Sequence, residues 1–96
     1  MRAVPKAMPA LMRAQKVAKI AMQAEAHTGL PCVKMPLDAC FNDARALINS
    51  LENCADETST EEIFGKLLLL LAAISEKKQI FAELSLTNAI EAFINI

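Results

Sequence analysis

Between Ile63 and Ile74 ten of twelve residues are apolar, Gly65 and Lys66 being the exceptions, and Leu67 to Ile74 is an unbroken apolar run of eight. Such a run is far below the roughly 20 residues that span a bilayer, so it belongs to a protein core. A helix apolar around so much of its circumference must be covered on several sides. In a chain of 96 residues that demand is hard to meet within one protomer. The run therefore points to helix packing and to contact between subunits. Seventeen Ala and twelve Leu, with no Tyr or Trp and two Gly, favour aliphatic helices over a strand-built sandwich or barrel.

The rest of the chain divides into helices around this segment. Pro9 suits a first helical turn, and Leu11, Ala14, Val17, Ala18, Ala21 and Ala24 recur at helical spacing until Gly29. This predicts a first helix over Pro9 to His27, with Arg13, Lys16, Lys19 and Gln23 as its polar stripe. Thr28 to Pro36 holds two prolines and reads as an extended connector. Asp38 is a candidate cap for a second helix, whose face Phe41, Ala44, Leu47, Ile48 and Leu51 ends near Asn53 or Cys54. Ser59-x-x-Glu62 is a candidate capping box for the third helix, which gives way to polar residues at Ser75 to Gln79. A last helix from Ser85 or Thr87 places Leu86, Ala89, Ile90, Phe93 and Ile94 on one side. The expected architecture is a single all-α domain over residues 1–96, a four-helix bundle with a flexible lead-in at 1–7, assembled as a homodimer or higher oligomer. Its expected interface residues are Leu67, Leu68, Leu70, Leu71, Ile74, Ile90, Phe93 and Ile94.

The formal charge of -1 conceals a dipolar chain: Met1 to Pro36 holds six basic residues and one acid, and Leu37 to Ile96 four basic residues and ten acids. Arg13, Lys16 and Lys19 form a candidate anion-binding stripe, for the acidic remainder of the fold, a second subunit or a nucleic-acid backbone. No aromatic residue interleaves with them, so the stacking of single-strand-binding grooves is missing and nucleic acid ranks below protein as a partner. These same cations interrupt any apolar signal region at the N-terminus. Cys32, Cys40 and Cys54, an odd set without Cys-x-x-Cys and with one histidine, argue against a disulfide framework or a structural zinc site and fit a reducing cytoplasm. His27 and Cys32 lack an orienting group for base-and-nucleophile chemistry. No glycine-rich phosphate loop is present.

From Val17 onward the order of features resembles the MazG-like all-α nucleotide pyrophosphohydrolases. The resemblance rests on a first helix, the Gly29-Leu30-Pro31 connector, a second helix, a short acidic loop, and Ile-Phe-Gly-Lys-Leu-Leu-Leu at Ile63 to Leu69. It implies a helical dimer or tetramer in which Glu-Glu-x-x-Glu and Glu-x-x-Asp motifs bind magnesium and position a nucleoside triphosphate. Those motifs fall on Asn42, Asp43 and Ala46, and on Ile63 and Lys66, so Asp43 is the one retained acid. A hard cation needs converging oxygens, and a lysine replaces a ligand here. Glu52, Asp56, Glu61 and Glu62 are nearby acids, of which Glu52, Glu61 and Glu62 join Asp43 as metal candidates. Their positions at helix ends also fit capping and a solvated loop.

The functional expectation is a noncatalytic, oligomerising interaction protein without a cofactor. The first alternative is a divergent hydrolase using Mg2+ at Asp43. The second is a nucleic-acid-associated protein using the basic first helix.

Overall fold

The computed structural model describes residues 9–23 and 36–95, in four helices: α1 Ala10–Gln23, α2 Leu37–Asn53, α3 Glu57–Lys77 and α4 Ala82–Ile94. The all-α class is as expected, and no helix among the described residues is long and apolar enough to cross a membrane. The lead-in at 1–7, His27 and the connector through Met35 lie outside the described residues.

Each helix boundary has a local cause. Pro9 precedes α1 rather than opening it, and its carbonyl accepts the Arg13 N–H at 2.9 Å. Helix α2 begins at Leu37 after Pro36, without a side-chain cap, so Asp38 sits in the first turn, where its charge faces the helix dipole. Helix α3 begins two residues before Ser59. Asp56 is its N-cap, and the carboxylate accepts the Ser59 N–H at 3.0 Å. At the other end Ile80 N–H donates to Ser75 C=O at 2.9 Å and Gln79 N–H to Glu76 C=O at 3.1 Å, with Gln79 at φ 59°. This is a Schellman closure built on glutamine instead of the usual glycine.

Helix α3 is central, packed by α2 and by α1. The core joins Ala18 and Ala21 of α1, Cys40 and Ala44 of α2, and Leu67, Leu70, Ala73 and Ile74 of α3. Small residues on α1 and α2 let the helix backbones approach, and the leucines and isoleucine of α3 fill the space between them. Helix α4 departs from the expected bundle. It begins at Ala82, ahead of Ser85, contributes no buried residue, and meets α1 and α3 over a smaller contact than those two helices make with each other. The face expected to close the bundle, Leu86, Ala89, Ile90 and Phe93, is exposed.

Candidate functional site: an exposed apolar surface and a glutamine clasp

Of the residues predicted for an interface, the fold assigns Leu67, Leu70 and Ile74 to the intramolecular core. Leu68 and Leu71, on α3 beside the core face, are each 46% exposed. Ile90, Phe93 and Ile94 on α4 are 47%, 77% and 67% exposed. Phe64, Phe81, Leu84 and Leu86, absent from the predicted interface, join this exposed apolar set. Single exposed leucines are ordinary, but large apolar residues exposed repeatedly along two helices call for a partner.

The position of α4 depends on one side chain that sequence reasoning missed. Gln15 of α1 is a buried polar residue. Its Oε1 accepts the Ala82 N–H at 2.8 Å, and its Nε2 donates to Ile80 C=O at 2.6 Å and to Glu76 Oε1 at 3.1 Å. Gln15 therefore caps α4 from a different helix, because Phe81, the residue at the N-cap position, has no side-chain acceptor. The available signal was its place on the α1 stripe between Leu11 and Ala18, where a polar group needs a partner.

The charged candidates are spread over three helices. Arg13, Lys16 and Lys19 are exposed along α1. Asp43 is half-buried on α2, Glu52 is exposed near the end of α2, and Glu61 and Glu62 are exposed in the early turns of α3. Among the described residues no three His, Cys, Asp or Glu side chains converge as a metal site. Asn42, one position of the metal motif, accepts a hydrogen bond from Arg45 at 2.9 Å. Asp56 is held below the ordinary carboxylate range, first by the backbone N–H of Ser59 and then by its hydroxyl. That is a capping role. Cys40 is fully buried, and Cys54 is half-buried with its thiol near the Asp56 carbonyl at 3.6 Å.

A shallow depression on the early turns of α3 is lined by Glu57, Thr58, Thr60, Glu61, Phe64 and Gly65, and a second beside it by Thr58, Glu61, Glu62, Gly65, Lys66 and Leu69. A methyl group placed on Gly65 would meet nothing within 4 Å. The arrangement can accommodate a side chain of another helix. No protein-family model, no curated protein and no solved structure matches this chain.

Proposed function

We propose that this protein is a noncatalytic helical interaction module that assembles with itself, using the exposed apolar residues of α3 and α4. The observation that carries this reading is α4: a helix with Leu84, Leu86, Ile90, Phe93 and Ile94 all exposed and no residue buried. Leaving that much apolar surface in water forgoes stabilisation of about 25 cal/mol per Å², and a subunit contact recovers it. The MazG-like order of helices belongs to the same reading, with the oligomeric habit of that family and without its metal chemistry. The odd set of three cysteines without a Cys-x-x-Cys pair favours a reducing compartment, the cytoplasm, as its place of work. Sedimentation equilibrium across the micromolar range is the test. A dimer or larger assembly is expected, and a monomer throughout overturns the proposal.

A further inference from the structure

Two stripes on this chain share one spacing. On α3 the stripe is Phe64, Leu68 and Leu71 with the polar Ser75 at its end; on α4 it is Ala82, Leu86, Ala89 and Phe93. Both follow the 4-3-4 spacing that aligns side chains along a helix-pairing seam, and both run about 16 Å. Phe64, Leu68, Leu71, Leu86 and Phe93 are 46 to 77% exposed. Within the protomer the large residues of both stripes are exposed, while the clasp from Gln15 to Ala82 and Ile80 holds the first turn of α4 to α1.

The shapes differ in a complementary way. The α4 stripe alternates small and large, Ala82 and Ala89 with Leu86 and Phe93, and ends on Phe93, the most exposed of the large apolar residues. The α3 stripe carries three large residues and, beside them, the depression at Gly65. Glycine inside an exposed helix costs about 1 kcal/mol relative to alanine, and nothing described in the protomer approaches it closely enough to require it. A facing aromatic side chain would. Pairing α3 with α3, by contrast, would set three large residues against three large residues and leave both α4 helices uncovered.

The area is also of the right size. Together with Ile90, which flanks the α4 stripe, the exposed parts of these large residues offer roughly 500–600 Å² of apolar surface per protomer. With the polar rim of a homodimer interface that corresponds to about 800 Å² per partner, the standard size for a stable specific complex.

Resting on the self-association proposed above, we infer that the occupant of this surface is a second copy of the chain in reciprocal exchange. The α4 of each protomer lies on the α3 stripe of the other, and Phe93 seats in the depression at Gly65. Such a contact is isologous, closes at two copies and covers both stripes of both chains.

The test uses full-length protein carrying the photo-crosslinker p-benzoylphenylalanine in place of Phe64, mixed with an equal amount of 15N-labelled protein without the probe. Irradiated adducts are mapped by mass spectrometry, with sedimentation equilibrium on the same samples. A dimer whose heavy-isotope adducts fall within residues 82–94 supports the inference. A dimer whose adducts fall on α2 or α3 overturns the exchange and leaves self-association standing, whereas a monomer overturns both. Gly65→Leu supplies a second measurement, since the protomer has room for the side chain. The expected result is a helical, folded protein with a dimer dissociation constant raised at least tenfold. An unchanged constant in a folded variant overturns the seating of Phe93.

Discussion

Gln15 and Ala82, 67 residues apart, are joined by a 2.8 Å hydrogen bond through which α1 supplies the missing cap of α4. The same carboxamide donates to Ile80 C=O, so the side chain satisfies a donor and an acceptor of the α3–α4 turn together. Gln15→Leu keeps the volume and removes both partners. It is expected to cost about 1–3 kcal/mol, the penalty of leaving partly buried backbone groups unpaired. Urea unfolding measures the loss, and amide exchange should show it concentrated at Ala82 to Ser85.

Asp56→Ala removes the carboxylate that caps α3 and lowers the melting temperature at neutral pH. The folded-state pKa of Asp56 is depressed, so its contribution is present above the unfolded value of 3.8 and disappears as pH falls through the lower folded value. Thermal melts of the two proteins should therefore differ at pH 7 and converge in strongly acidic solution. A gap that persisted there would assign the effect to something other than the ionised cap.

Gln79 closes α3 at φ 59°, a conformation that costs a residue with a Cβ roughly 1 kcal/mol more than glycine. Gln79→Gly is expected to stabilise the protein by about 0.5–1 kcal/mol, after allowing for the extra chain entropy glycine loses. Thermal and chemical denaturation should both register the gain, with the Schellman hydrogen bonds retained.

Leu70 and Leu71 are neighbours with opposite roles. Leu70 is 6% exposed and Leu71 46% exposed. Leu70→Ala should cost about 2–5 kcal/mol of folding stability through the cavity it leaves. Leu71→Ala should leave the fold of the protomer nearly unchanged and weaken its association. Chemical denaturation and sedimentation equilibrium, run on both variants, separate the two effects.

With Mg2+ and a mixture of nucleoside triphosphates, pyrophosphate release is expected to stay at the level of the buffer. Among the described residues no second and third acid joins Asp43 to hold the ion. Release that depends on magnesium and is lost in Asp43→Ala would reassign the protein as a hydrolase.

The end of α2 and the end of α3 were legible because their causes are local, Asn53 at one and the polar residues after Ile74 at the other, whereas α2 starts at Leu37, ahead of its expected Asp38 cap. The start of α3 was only partly legible. Asp56-x-x-Ser59 and Ser59-x-x-Glu62 overlap as capping signals, and the carboxylate prevails by giving the helix an earlier turn, with Thr60 N–H bonded to Asp56 C=O at 2.9 Å. The start of α4 was not legible at all. Its cap comes from Gln15, and no pattern within residues 80–95 encodes a hydrogen bond from another helix.

The sequence by itself determined that the chain is helical and that the segment from Ile63 to Ile74 is its most apolar part, since composition and periodicity are properties of the chain. It could not say which leucines of an unbroken run face inward, because a run without polar interruptions has no phase. Only the packing of α1 and α2 on α3 decided that Leu67, Leu70 and Ile74 are core while Leu68 and Leu71 remain at the surface. Tertiary structure likewise decided where α4 begins and that its apolar face stays exposed, because the hydrogen bonds that fix its first turn and the neighbours that could cover its face are matters of where other helices lie in space.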